Sequence, residues 1–188
     1  MGRDGPRAVV LVEGDSDRIA LETLARRTGR DLVADRVTVA AMGGAHAIDE
    51  HLRRLGPSGE GARLAGLCDV GEEAVFRNAL EGAGFGTGLD RAAMAALGFH
   101  VCVEDLEDEL IRVVGQAGIE AVLACEGDLA AFRTMQQQPA WRGEPFDRQM
   151  RRWMGAGARR KTRYARLLVE AVEPSGAPPP LLALLDSV

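Results

Sequence analysis

Residues 8–12 read AVVLV, an unbroken apolar run rich in β-branched side chains that stops at Glu13-Gly14. A strand with one face in water alternates polar and apolar residues, whereas a continuous run belongs to a strand covered on both faces, as in a parallel sheet. The pattern recurs: VTVAAM at 37–42 ends in Gly43-Gly44, 64–68 ends in Asp69, and 99–103 ends in Glu104-Asp105. Between these runs lie helical stretches, expected from an Asp15 or Ser16 cap to about Arg27, then over 45–55, 72–81 and 89–97. Strand and helix in alternation predict an α/β fold, a Rossmann-like parallel sheet of about four strands flanked by helices. Beyond Leu106 the pattern is helical only, over 106–115, 118–137, 146–154 and 159–172. A Pro-rich stretch, EPSGAPPP, then leads to LLALLDSV, an apolar end expected to dock back on the body. The chain thus divides into a core over 1–130 and a helical C-terminal extension over 131–188.

In an open parallel sheet, functional groups gather beyond the C-terminal ends of the strands. Acids stand at three such ends here: Glu13, Asp69, and Glu104 with Asp105. Converging carboxylates repel one another unless a cation neutralises them. Hard divalent ions with oxygen ligands, Mg2+ or Mn2+, suit such a set. Two ions roughly 4 Å apart would activate water and stabilise a leaving oxygen in phosphodiester hydrolysis. Taken singly, Asp69 or Asp105 reads equally well as a helix cap.

The net charge of −5 speaks against a nucleic-acid partner until its distribution is considered. Nine basic residues and two acids lie between Arg142 and Arg166, while Glu104 to Asp128 holds eight acids and one base, Arg112. An acidic zone followed by a basic one suits a metal site beside a phosphate-gripping surface, and also two solvated helix faces of opposite sign. The chain has 22 arginines and one lysine, Lys161. Where arginine has replaced lysine almost everywhere, the survivor marks a position at which a compact ammonium matters.

Other classes find little support. No run approaches the roughly 20 apolar residues that span a bilayer, and the N-terminus does not read as a signal peptide. Cys68, Cys102 and Cys125 stand apart within apolar stretches, as buried thiols of a reducing compartment do, so a cytoplasmic protein is expected. His46 and His51 do not share a helix face as metal ligands would, and His100 reads as structural. Tyr164, Trp141 and Trp153 are expected to pack in the core. GAGARRKT at 155–162 has Arg160 where a phosphate-binding loop needs Gly, and it follows no strand.

VLVEGDSDRIAL at 10–21 resembles the opening motif of TOPRIM domains, and VTVAAMGGAHAIDEHL at 37–52 resembles the second strand and Gly-rich turn of that fold. The resemblance implies that Glu13 binds metal and that Asp17 supports or shares it. GLCDVGEE matches the family's acid-ended third strand, but Gly71 stands where the usual Asp-x-Asp has its second acid; Glu72 or Glu73 could move in. CVEDLEDELI at 102–111 and RRKTRYARLL at 159–168 resemble the second acidic junction and the Lys-bearing helix of OLD (overcoming lysogenisation defect) family nucleases. Over residues 8–170 the likeness implies two metal sites: Glu13, Asp17 and Asp69 at one, and Asp105 and Glu107, aided by Glu104 or Asp108, at the other. Lys161 would then stabilise the transition state, and Arg151, Arg152, Arg159, Arg160 and Arg163 would hold DNA. OLD proteins carry an ATPase module before this part, and the sequence shows none, so a separate ATPase subunit and a second copy of the chain are compatible partners. A ribosomal-RNA-maturing TOPRIM ribonuclease and a degenerate module that binds without cleaving remain alternatives.

Overall fold

A computed structural model describes residues 6–57 and 59–188. Four strands, β1 (Ala8–Val12), β2 (Val37–Ala41), β3 (Arg63–Cys68) and β4 (Phe99–Val101), form one parallel sheet in the order β2-β1-β3-β4. All five residues of central β1 are buried, and they face alternate sides. Ala8, Val10 and Val12 enter one apolar cluster, while Val9 and Leu11 enter the other. That two-sided burial is why the run carries no polar residue.

The first cluster is closed by α1 (Asp15–Arg27), α5 (Leu106–Cys125), α6 (Leu129–Gln136), α7 (Phe146–Met154), α8 (Ala158–Ala171) and α9 (Pro179–Asp186). The second is closed by α2 (Ile48–Leu55), α3 (Glu73–Gly82) and α4 (Arg91–Ala96). The C-terminal segment does dock back: Leu181, Leu184 and Leu185 are buried, and Arg30 donates to the carbonyls of Leu185 (2.6 Å) and Val188 (3.0 Å).

Several local expectations shift. Gly14, not Asp15 or Ser16, caps α1, and its N–H donates to Asp17 Oδ2 at 2.8 Å. The expected helices over 45–55 and 72–81 each open with a 3-10 turn, at Ala45–Ala47 and Val70–Glu72. Residues 118–137 are not one helix, because the chain turns at 126–128, where Gly127 has φ 74°. Gly115, at φ 69°, kinks α5 where a break was expected. Cys68 and Cys102 are buried, but Cys125, at the end of α5, is exposed. His100 is structural, with Nε2 2.9 Å from Ser187 Oγ. Tyr164 and Trp153 are core residues, while Trp141 is only half-buried. Among the described residues no helix is long and apolar enough to cross a membrane.

Gly66 in β3 is a packing requirement. A Cβ there would lie 2.8 Å and 2.9 Å from the Phe99 ring and 3.0 Å from the Leu11 carbonyl oxygen. Neighbouring strands leave that methyl nowhere to go, so Gly66→Ala is expected to cost about 1–3 kcal/mol, read from the midpoint of urea unfolding. An unchanged midpoint would show that the Phe99 ring moves aside freely.

Candidate metal centre

The C-terminal ends of β1 and β3 bring Glu13 and Asp69 side by side. Glu13 Oε1 accepts from the Asp69 backbone N–H at 3.0 Å. The Glu13 carbonyl accepts from the N–H groups of Gly43 and Gly44, both at 3.0 Å, so the turn after β2 braces the end of β1. That turn needs glycine, with φ of 78° and 129°. Asp17 follows on the first turn of α1, where its bond to Gly14 holds the loop shut.

The field here is strongly negative. The Asp69 carboxyl is pushed up to about 8, first by burial and then by Glu13, Asp105, Asp17 and Glu107. Asp17 is pushed up to about 7 by burial and then by Glu107, against the Gly14 hydrogen bond and Lys161, which lower it. Glu13 is also raised, mainly by burial, with Glu72 the foremost neighbouring carboxylate. Of the two acids beside Gly71, Glu72 is the one whose charge bears on Glu13. Glu73 is held elsewhere by Arg77, at 2.9 Å, and by Arg91. Nothing stands within 4 Å of a Cβ built on Gly71.

The second acidic cluster is occupied by the protein's own charges. Asp105 caps α5, its Oδ1 accepting from the Asp108 N–H at 2.8 Å, and its other oxygen is bound by Arg151. Asp105 is thus a helix cap that also carries an ion pair with Arg151. Glu107 is buried and lies 3.1 Å from Lys161 Nζ. Burial works against the Lys161 charge, but Glu107, Asp17 and Asp105 outweigh it and raise its pKa. Asp105, Glu107, Arg151 and Lys161 share one small groove with Met154 and Gly155. Asp108 is paired with Arg112, and Glu104 is exposed. Glu109, buried, accepts from the Val103 N–H at 2.9 Å and pairs with Arg112 at 3.1 Å, bracing the start of α5.

Lys161 reaches the strand ends because α8 packs along α1 and α5. Arg27 helps to pin it there, donating to the Val169 carbonyl at 2.6 Å. The other basic residues divide. Arg163 binds Glu126 and Asp128, Arg159 is exposed, and Arg152 and Arg160 face away from the acids. A wider cavity of about 600 Å³, lined by Arg26, Arg30, Leu32 and Val33, lies by the start of β2 and contains none of the strand-end acids.

The oxygen-only donors and the mutual repulsion that raises Asp17 and Asp69 suit a hard divalent cation. Among the described residues, however, no three His, Cys, Asp or Glu side chains are gathered closely enough to hold an ion as they stand. Binding would have to draw Glu13, Asp17 and Asp69 inward, and a second ion at Asp105 and Glu107 would have to displace Arg151 and Lys161.

The raised carboxyls have a measurable consequence. The folded protein holds these protons more tightly than the unfolded chain, whose Asp residues titrate near pH 4. The associated stability is complete below that pH and is lost as pH rises through the folded values, about 7 for Asp17 and about 8 for Asp69. In EDTA the melting temperature is therefore expected to fall between about pH 4 and pH 8, and Mg2+ or Mn2+ to raise it most at the alkaline end. Asp69→Asn should flatten both dependences in a thermal-shift series. A wild-type melting temperature indifferent to pH and metal would mean that these carboxyls do not share a field.

A parallel sheet with β2-β1-β3-β4 order, a Gly-rich turn after β2 and acids at the ends of β1 and β3 is a TOPRIM-like fold. Residues 6–57 match the family model described as overcoming lysogenization defect protein-like, TOPRIM domain. Over that segment the chain is similar to the TOPRIM domain of OLD-like proteins. Its fold is that of the C-terminal region of the Burkholderia pseudomallei OLD protein (TM-score 0.73, 19% identity, covering 97% of this chain and 96% of that one). The C-terminal region of the Xanthomonas campestris pv. campestris OLD protein is similar too (TM-score 0.69, 24% identity, 98% and 95% covered). No curated protein sequence matches the chain.

Proposed function

We propose that this domain is a divalent-metal-dependent nuclease that hydrolyses DNA phosphodiester bonds. The observation that carries the reading is the meeting of Glu13, Asp17 and Asp69 in one negative field with Lys161, the only lysine in the chain. Glu13, Asp17 and Asp69 would hold one ion, and Asp105 and Glu107 a second. Bound there, Mg2+ or Mn2+ would lower the pKa of water and stabilise a leaving oxygen. The protein's own part is positional. The Gly14 and Asp69 N–H groups fix the carboxylates, and Lys161 keeps a protonated ammonium where negative charge develops on phosphorus-bound oxygens.

The ion pairs Lys161–Glu107 and Arg151–Asp105 favour a second reading, a module restrained until nucleic acid or a partner such as an ATPase subunit draws the cations away. Nicking of supercoiled plasmid in Mg2+, Mn2+ or EDTA separates the two, with structured RNA as the parallel substrate. Metal-dependent nicking of DNA supports the nuclease. Cleavage of RNA alone turns the assignment to a ribonuclease, and DNA binding that is equal in EDTA without any nicking favours the restrained module.

A further inference from the structure

We infer that the cleft between α6 and the α7–α8 connection is a phosphate subsite for the nucleic-acid strand, held by Arg152 and Arg160. The inference rests on the proposed action on nucleic acid and names where the strand continues beyond the acidic groove.

Two pairs of consecutive residues are split between opposite walls. Arg151 binds Asp105 and Lys161 binds Glu107 in the acidic groove, whereas their neighbours Arg152 and Arg160 line a separate cleft of about 240 Å³ with Trp153, Thr134 and Gln138. The chain between α7 and α8 is a shared wall, with Met154 and Gly155 lining the groove and Trp153 and Ala156 lining the cleft. A strand lying over that wall meets both.

The cleft differs from the groove in its charge. Among the described residues no Asp or Glu lines it. Elsewhere in the basic stretch, Arg148, Arg151, Lys161, Arg163 and Arg166 each hold a carboxylate. Among the described residues Arg152 and Arg160 hold none; each lies over an indole instead. The Arg160 guanidinium carbon is 4.1 Å from the centre of the Trp153 ring, and that of Arg152 is 5.9 Å from Trp141. Both tryptophans of the chain serve in this way. A guanidinium braced on an aromatic face keeps its charge and N–H fork while giving up side-chain freedom before any ligand arrives. Two such groups in an acid-free cleft, on a chain with net charge −5, match one phosphodiester anion.

The test is binding without cleavage. Anisotropy of labelled single-stranded and duplex DNA is measured in EDTA over a range of salt, for the wild type and for Arg152→Gln with Arg160→Gln. Loss of one phosphate contact is expected to weaken binding by about tenfold at low salt and to make the log–log salt dependence shallower by about 0.9 for a duplex. The double lysine variant should keep the wild-type slope, which a merely structural role of the two arginines would not predict. Unchanged affinity and slope in the glutamine variant, with an unchanged melting temperature, overturns the subsite. Inorganic phosphate that shifts tryptophan emission at the same concentration as the oligonucleotide, per phosphate, also overturns it in favour of a free-anion pocket. A wild type that shows the expected variant dependence yet never nicks DNA in Mg2+ or Mn2+ sinks the nuclease reading and leaves the subsite standing. Nicking with no variant dependence does the reverse.

Discussion

Glu13→Gln is expected to remove metal-dependent strand cleavage, lowering the single-turnover nicking rate by about 10³-fold or more, since the metal contribution is worth several kcal/mol. The substitution is nearly isosteric. A Gln carbonyl can still accept from the Asp69 N–H, so the loop between β3 and α3 keeps its anchor. What disappears is one negative charge from a site where burial and Glu72 already oppose it. The variant should therefore melt no lower than the wild type in EDTA, and should lose the metal-induced rise in melting temperature. An inactive protein as stable as its parent, blind to Mg2+ and Mn2+, identifies Glu13 as a ligand. Full nicking activity in Glu13→Gln would remove the residue from the mechanism and with it the assignment of the site.

Lys161→Ala is expected to lower the same rate by about 10² to 10³-fold, the scale seen when one preorganised donor is removed from developing negative charge. DNA affinity measured in EDTA should change little, because without metal the Lys161 ammonium is paired with Glu107 rather than with a phosphate. Lys161→Arg tests whether charge alone suffices. The guanidinium is larger and planar, and its fork would engage Glu107 differently from the compact ammonium 3.1 Å away, so activity is expected to remain well below wild type. Rescue by arginine would reduce the role of Lys161 to a counter-charge for Glu107. A wild-type rate in the alanine variant would mean that this lysine only balances a buried acid.

Much of the architecture was legible because its causes are local. An apolar run is readable as a doubly covered strand from its own five residues, and glycine pairs at 43–44 mark a turn wherever they end up in space. The four strands and the acids at their ends follow from such patterns, as does the resemblance carried by residues 10–21. Helix limits were read less well. The sequence periodicity passes through 126–128, but Gly127 takes a positive φ that no hydrophobic pattern encodes. Cys125 lies in an apolar-looking stretch whose exposed side is set by how α5 packs, which no window of sequence contains.

The site divides along the same line. Glu13, Asp69 and Asp105 stand at strand ends by chain order alone, and Lys161 is marked by its rarity. Which charges meet depends on how distant helices pack. Asp105 and Arg151 are 46 residues apart, and Glu107 finds Lys161 only because α8 lies along α1 and α5. Nor could the sequence show that Arg151 and Arg152, or Arg160 and Lys161, would part company. Side chains on adjacent helical residues point about 100° apart, and which of them meets an acid depends on what is packed against each face.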